Sequence, residues 1–250
     1  MDLKTPLAAA LLCALALPLR APAASAPPPA PVADDTARIL IFTRTAGFRH
    51  DSIPKAVATL EALAAQQSLH ADHTEDAAVF APERLARYRA VVFASTTGDV
   101  LDAAQQRALE QFVRAGGGFV GVHAAADTEY GWPWYGGLVG AWFRSHPPGL
   151  QTARVRFEDG RTPAWTVTDE LYDYRDNPRP RVRVIATVDE RDYEGGTMGH
   201  DHPIAWCHAW DGGRSWYTGL GHDAAIYDDP RFRAHLARGL RHAAGLDEDC

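Results

Sequence analysis

Several histidines of this sequence stand in short loops bounded by glycine or proline, where a side chain is free to do chemistry. The chain has 11 histidines, and those in such loops are His50, His123, His146, His200, His202 and His222. An imidazole can take up or release a proton near neutral pH, and it is also a common ligand of transition metals. The set predicts proton transfer or metal binding, while a merely solvated or cap-forming histidine stays the alternative for each one taken singly.

The segment from Gly118 to Ala126 places His123 at a sharp turn after a buried strand. Small residues on both sides let the backbone turn tightly and present one side chain at the rim of a sheet, as in the nucleophile elbow of hydrolases. An ordinary elbow holds serine or cysteine, whereas an imidazole acts as base, acid or ligand. We therefore predict that the functional site is built around His123.

A divalent metal ion is the one cofactor that these residue types suggest. Histidine and carboxylate ligands suit zinc or another first-row ion, and the candidate ligands are His123, His146 and His222. The sequence contains neither an HExxH motif nor a His/Cys tetrad. The spacing therefore does not choose between a metal site and metal-free proton transfer.

Tryptophan and tyrosine crowd the loop after His123 and recur later in the chain. Indole and phenol rings offer large apolar faces with one polar handle, on which the C–H faces of sugars stack well. Packing at the edge of the core is the other explanation. The residues that we predict to contact a substrate are Asp127, Trp134, Tyr135, Tyr172, His202 and Trp206.

The elements that must position these side chains alternate along the first half of the chain. Apolar runs predict buried strands at 38–43, 90–94 and 119–122, with a shorter strand near 69–74 and helices that begin near Ser52 and Asp102. Such alternation indicates a parallel sheet covered by helices on both faces. Ligands of these sheets bind at the carboxyl ends of the strands, which points to loops 45–50, 95–99 and 123–129.

The second half of the chain has a different pattern. Further strands are expected at 182–188, 203–208 and 215–218, followed by a last helix capped by Asp229. The predicted fold is thus an α/β fold with a mainly parallel sheet, helices on both faces and extra C-terminal strands.

The N-terminus has the features of a secretory signal peptide. Lys4 precedes a short apolar run, and Ala24-Ser-Ala26 is a small-residue cleavage site. We divide the chain into a signal peptide at 1–26, a Pro/Ala-rich linker at 27–36 and one domain at 37–246. The expected location is secreted or periplasmic.

Composition excludes two classes of partner. The chain has 25 basic and 32 acidic residues, a net charge of −7 and no basic run, so nucleic-acid binding is not expected. The apolar run near the N-terminus is too short for a membrane span, which needs roughly 20 residues. Cys207 and Cys250 are the cysteines after the predicted leader, and the sequence decides neither their pairing nor the oligomeric state.

Taken together, these segments resemble the ThuA-like (trehalose utilisation) family over nearly the whole mature chain. The matching segments are Gly47-Phe-Arg-His50-Asp-Ser-Ile53, Gly117 to Asp127, Phe143-x-x-His146-Pro147, Asp169-Glu170-Leu-Tyr172, Pro203-x-Ala-Trp206 and Gly213 to His222. The resemblance implies a flavodoxin-like sheet similar to class I glutamine amidotransferases. Those enzymes carry a cysteine at the elbow, whereas position 123 is histidine, so glutamine hydrolysis through a thioester is excluded.

The resemblance also implies a link to disaccharide catabolism, through 3-keto sugar intermediates. The first hypothesis is an enzyme acting on a disaccharide or 3-keto-glycoside, a small-molecule sugar substrate. Its catalytic residues would be His50, His123, His146, Glu170 and His222, with Glu170 as a base or as the group that orients an imidazole. The alternatives are a non-catalytic periplasmic carbohydrate-binding module and a metallohydrolase of another substrate.

Overall fold

The computed structural model describes residues 1–2 and 37–250. Almost all of the predicted signal peptide and linker, from residue 3 to residue 36, lies outside the described residues. Residues 37–250 contain eleven strands and five α-helices. They are β1 (Arg38–Phe42), α1 (Ile53–Gln66), β2 (His70–Thr74), α2 (Pro82–Leu85), β3 (Ala90–Ala94), α3 (Ala103–Arg114), β4 (Gly118–Val122), α4 (Pro133–Val139), β5 (Phe143–Ser145), β6 (Gln151–Phe157), β7 (Trp165–Asp169), β8 (Asp173–Tyr174), β9 (Arg183–Val188), β10 (His202–Trp210), β11 (Gly213–Thr218) and α5 (Pro230–Ala243).

Nine of these strands form one sheet in the order β2-β1-β3-β4-β11-β10-β9-β6-β7. The first five strands pair in parallel, and the remaining pairings are antiparallel. The parallel part has the flavodoxin-like order, in which β11 serves as the fifth strand. The predicted α/β fold with extra strands is confirmed.

Local sequence chemistry explains where the main helices begin. Asp102 caps α3 by accepting hydrogen bonds from the backbone N–H groups of Ala104 and Gln105, and the Gln105 side chain completes a capping box. Asp229 accepts from the backbone N–H of Arg231 at the start of α5. Proline occupies the first turn of both α1 and α5, where its missing N–H costs nothing.

Two hydrophobic clusters cover the two faces of the sheet. One holds the inner faces of α1 and α5, with Leu60, Leu236 and Leu240 fully buried. The other holds α3 and α4, with Leu109 and Leu138 fully buried. Because helices cover both faces of the sheet, ligands are expected at the carboxyl ends of its strands.

The strands β6 and β7 were not predicted from the sequence. Their side chains alternate between buried and exposed positions, and the exposed set includes Arg154 and Arg156. Alternation over so short a stretch, interrupted by charge, gives a weaker pattern than the continuous apolar runs of the parallel strands. None of the helices in the described part of the chain is long and apolar enough to cross a membrane.

A disulfide joins Cys207 in β10 to Cys250, which lies 43 positions later in the sequence, with 6.4 Å between their Cα atoms. Closing a loop of that length removes chain entropy from the unfolded state. We expect Cys250→Ser to lower the free energy of unfolding by about 4 kcal/mol, measured by urea denaturation of oxidised protein. Under full reduction the variant and the parent should unfold alike, and a persistent difference would assign the loss to packing instead.

A buried histidine outside the predicted site makes the stability depend on pH. His235 on α5 packs against Trp216 with 4.7 Å between ring centroids, and its Nε2 has no hydrogen-bond partner. Burial, helped by the charge of Arg238, lowers the pKa of His235 to about 3. The unfolded chain therefore takes up a proton as the pH falls through about 6.5, and the folded chain does not.

His235 should lower the free energy of unfolding by about 1.4 kcal/mol for each pH unit below 6.5, down to its pKa in the folded state. When the pH is lowered from 7 to 5, we expect the free energy of unfolding of His235→Phe to fall by about 2 kcal/mol less than that of the parent. Urea denaturation at the two pH values measures the difference. His70→Gln, at an exposed position, is the control and should follow the parent; a His235→Phe curve parallel to the parent's would contradict the assignment.

Candidate active site

Four segments that follow strands of the sheet bring their polar side chains together. His50 lies between β1 and α1, His123 directly follows β4, Glu170 directly follows β7, and His222 lies four residues beyond β11. We call these four residues the histidine–glutamate cluster. Their possible ligand atoms all lie within 4.8 Å of one another. All four were predicted as catalytic residues from the sequence. They meet because β1, β4, β7 and β11 have their carboxyl ends at the same end of the sheet.

His123 occupies the tight turn that the sequence predicts. Its backbone has φ of +50°, a left-handed conformation that non-glycine residues rarely adopt and that is common at functional turns. Its Nδ1 lies 2.8 Å from the carbonyl oxygen of Gly219, so Nδ1 carries the hydrogen and donates it. The Nε2 lone pair is then directed at the cluster, where Glu170 Oε2 lies 3.4 Å away.

The other three members surround this lone pair. Glu170 Oε2 lies 3.4 Å from His123 Nε2 and 3.1 Å from His222 Nδ1. The ring of His50 stands 4.8 Å from that of His123 and 5.1 Å from that of His222, edge to face. His50, His123 and Glu170 are buried, and His222 is partly exposed. The cluster is thus mostly buried, and His222 is its partly exposed member.

The charges in the cluster are strongly coupled. Burial raises the pKa of Glu170, but hydrogen bonds and charges of His123 and His222 outweigh it and hold the pKa below its usual range. The hydrogen bond to Glu170 raises the pKa of His222. Burial, together with the charges of His123 and His222, lowers the pKa of His50 to about 3. Glu170 is therefore an anion and His50 a neutral imidazole near neutral pH.

These donors fit a divalent first-row metal ion. His50 Nδ1 is a buried nitrogen without a hydrogen-bond partner, which is costly unless a ligand or ion satisfies it. His123 Nε2 and His222 Nδ1 face the Glu170 carboxylate at 3.4 and 3.1 Å. Three imidazoles and one carboxylate suit zinc and its neighbours. The Nδ1–H bond of His123 to a backbone carbonyl is the kind of outer contact that orients metal-binding histidines.

His146 lies beside the cluster and not inside it. Its Nδ1 lies 2.8 Å from the Pro147 carbonyl oxygen and 3.2 Å from Glu170 Oε1, the carboxylate oxygen that faces away from His123 and His222. Its side chain is 35 % exposed. With Nδ1 donating to oxygen, Nε2 remains available at the rim. His146 was a candidate metal ligand from the sequence, and its position favours proton transfer instead.

Buried groups that the sequence analysis did not select hold the loops of the cluster in place. Asp169, fully buried, accepts hydrogen bonds from the backbone N–H groups of Gly221 and Asp223 at 2.6 and 2.9 Å. The Ser52 hydroxyl donates to the Gly221 carbonyl. These contacts fix His222 from both sides. The only sign of this role in the sequence is the position of Asp169 next to Glu170. The sequence does not identify its partner Gly221, which is 52 positions away.

Two predicted substrate contacts do lie at the cluster. The Tyr172 ring packs against the His123 ring, with 4.2 Å between centroids. Asp127 is half-buried, accepts a hydrogen bond from the Tyr130 hydroxyl at 2.6 Å and interacts electrostatically with His123. Burial raises the pKa of Asp127.

The other predicted aromatic contacts lie elsewhere. The indole N–H of Trp134 donates a hydrogen bond to Asp211 in the β10–β11 turn. This turn lies at the opposite end of the strands, roughly 16 Å along β11 from the cluster. Tyr135 and Trp206 are fully buried and donate to the backbone carbonyls of Ala125 and Val139. These three side chains pack the core and edge of the sheet, which corrects the interpretation of them as a sugar-binding wall.

His202 is also fully buried, so it has no surface to offer a substrate. Its Nε2 lies 2.9 Å from the Tyr172 carbonyl oxygen, and its Nδ1 lies 2.9 Å from Glu190 Oε1. Glu190 and the adjacent Asp173 accept further hydrogen bonds from the 197–199 backbone. Although Asp173, Glu190 and His202 lie close enough to bind an ion, these hydrogen bonds already satisfy them. The group therefore anchors the Tyr172 segment.

The fold and the site together define a flavodoxin-like α/β protein with a histidine–carboxylate centre where a nucleophile elbow would stand. The family model for ThuA, described as trehalose utilisation, matches residues 38–243. The chain belongs to the ThuA family.

Solved structures agree on the fold. A ThuA-like protein from Bacteroides uniformis ATCC 8492 has a TM-score of 0.71 at 22 % identity, over 87 % of this chain and 95 % of that one. A ThuA-like protein from Parabacteroides merdae ATCC 43184 has a TM-score of 0.70 at 20 % identity, over 83 % and 90 %. A β-galactosidase from Bacillus circulans sp. alkalophilus gives 0.54 at 14 % identity, with 31 % of its chain covered. No curated protein matches the chain.

Proposed function

We propose that this protein is an exported enzyme that cleaves a disaccharide or 3-keto-glycoside by acid–base chemistry assisted by a divalent metal ion. The observation that carries the proposal is the set of three imidazoles and one carboxylate whose ligand atoms all lie within 4.8 Å of one another. The family's description, trehalose utilisation, favours a disaccharide-derived substrate. The fold alone would not choose a substrate, because one fold hosts many reactions.

The proposed reaction begins at the carbon next to a ketone. A carbonyl at C3 of the sugar acidifies the hydrogen at C2, so a base can remove that proton and leave an enolate. The electron pair then forms the C1–C2 double bond while the C1–O glycosidic bond breaks. The departing oxygen takes up a proton, and the products are an unsaturated keto sugar and an alcohol or second sugar. No oxidant or reductant is consumed.

The protein's own residues fit these steps. His146, half-exposed at the rim with Nδ1 held by Pro147 O and Glu170 Oε1, removes the C2 proton at Nε2 and returns it to the leaving oxygen. Glu170 orients His146 and balances the charge that His146 gains. His50, His123, Glu170 and His222 would hold the metal, and the bound ion would supply Lewis-acid polarisation of the C3 ketone.

Export is part of the same proposal. The N-terminal segment has the charge, apolar run and small-residue site of a signal peptide. The Cys207–Cys250 disulfide supports this location, because such bonds persist in oxidising compartments outside the cytosol.

The two alternatives have different support. A non-catalytic sugar-binding module would use an aromatic wall, yet Tyr135 and Trp206 are buried and Trp134 lies at the other edge of the sheet. A metallohydrolase of another substrate would use the same cluster. It is distinguished from the proposed enzyme by substrate alone.

The test uses mature protein purified without a histidine tag. We expect elemental analysis to find about one divalent ion per chain, and 3-keto-trehalose to be turned over by the loaded protein. Removing the ion with a chelator should abolish turnover, and adding it back should restore it. Turnover that survives chelation would overturn the metal assignment. A folded, loaded protein that cleaves no 3-keto-glycoside would overturn the enzyme assignment.

A further inference from the structure

We propose that Phe48 is the platform on which the substrate's sugar ring stacks. This inference rests on the proposed function, and it supplies the sugar-binding surface that Trp134, Tyr135 and Trp206 do not provide. It commits to one ligand chemistry, the apolar C–H face of a pyranose ring.

The exposure of Phe48 is unusual for its residue type. Phe48 is 65 % exposed, whereas every other phenylalanine, tyrosine and tryptophan of residues 37–250 is buried or only partly exposed. Single exposed apolar side chains are common on protein surfaces and need no explanation. Phe48 differs because it contacts the cluster: its ring centroid lies 4.8 Å from that of His50, edge to face.

The backbone around Phe48 is fixed even though its ring is open. The Phe48 carbonyl accepts a hydrogen bond from Thr97 Oγ1 at 2.8 Å, and the Gly47 N–H donates to the same hydroxyl at 3.2 Å. The Ala46 N–H donates to the Thr97 carbonyl at 2.7 Å. A Cβ at Gly47 would come within 3.3 Å of Thr97 Oγ1, so glycine permits this close approach. The ring is thus held at a fixed place beside the cluster.

The neighbours of Phe48 leave its face to an uncharged ligand. Arg49 pairs with Glu75 at 2.6 Å, so its charge is already engaged by a carboxylate. The phenylalanine ring has no hydrogen-bonding group, so what it offers a neutral ligand is an apolar face. A sugar ring stacked on it would have its hydroxyl and keto groups free to meet His50 and the rest of the cluster.

The experiment measures KM and kcat for 3-keto-trehalose with metal-loaded protein. We expect Phe48→Ala to raise KM about 10-fold, Phe48→Leu to raise it nearly as much, and Phe48→Trp to keep it close to the parent value. Leucine keeps the apolar character but loses the flat face, so it separates stacking from general hydrophobicity. The control is Leu246→Ala, an exposed apolar residue just beyond α5.

Two further measurements exclude indirect effects. Zinc affinity and the melting temperature of Phe48→Ala should match those of the parent, with a Tm shift of less than about 2 °C, because the ring is exposed and is not a ligand. A KM for Phe48→Ala within twofold of the parent's would overturn the platform while leaving the proposed enzyme intact. A parent that turns over no 3-keto-glycoside would overturn both.

Discussion

Glu170→Gln should reduce kcat/KM for 3-keto-trehalose by about 1,000-fold, the scale on which a positioned acid–base group acts. Glu170 contacts His123, His146 and His222 at 3.1 to 3.4 Å, and all of these contacts depend on its negative charge. Glutamine has the same shape, so the fold should survive while the charge is lost. Steady-state kinetics on loaded protein measures the effect.

The same substitution should also weaken metal binding, because a neutral amide is a poorer ligand than a carboxylate. Kinetics at saturating zinc therefore separates loss of metal from loss of the group that orients His146. Glu61→Gln, at an exposed position on α1, is the matched control and should behave as the parent. More than a tenth of the parent activity in Glu170→Gln would contradict the central role of the carboxylate.

His123→Asn should lower zinc affinity by more than about 100-fold, since the loss of even an outer contact to a ligand costs 10- to 100-fold. Asparagine tolerates the left-handed backbone at position 123 better than most residues do, so the turn should be kept. What is lost is the Nε2 lone pair directed at the cluster. Competition with a chromophoric zinc chelator measures the affinity.

The control for this prediction is His200→Asn, because His200 is exposed and lies outside the cluster. It should bind zinc as tightly as the parent. Equal zinc affinities of His123→Asn and the parent would mean that the cluster is not the metal site, and proton transfer without a metal would then be the remaining assignment.

The parallel half of the sheet could be predicted because its strands carry their own signal. The apolar runs of β1, β3 and β4 are continuous, since both faces of each strand are buried. The same runs locate the strand ends, and with them the loops of His50 and His123. In the antiparallel strands β6 and β7, buried residues alternate with exposed polar ones, arginine in β6 and threonine in β7, and neither strand was predicted.

The aromatic residues show where local reasoning failed. A tryptophan in a glycine-rich loop has the same sequence pattern whether it faces a ligand or fills a gap in the core. Trp206 lies against Gly140, where a Cβ would come within clashing distance of its Nε1, so the glycine there accommodates an indole. Phe48, by contrast, lies in the segment from Gly47 to Ile53 that resembles the family, and nothing in the sequence indicates that its ring is exposed.

The sequence by itself determined the fold class, the turn at His123, the absence of an elbow cysteine and the histidines from which a site could be built. Those follow from residue type and from periodicity along the chain. Only the tertiary structure decided which side chains meet: that Glu170 faces His123 and His222, that His146 stays at the rim, and that His202 is an anchor. Contacts within the cluster join residues 47 to 172 positions apart. They depend on how strands order in the sheet, and periodicity along the chain does not encode that order.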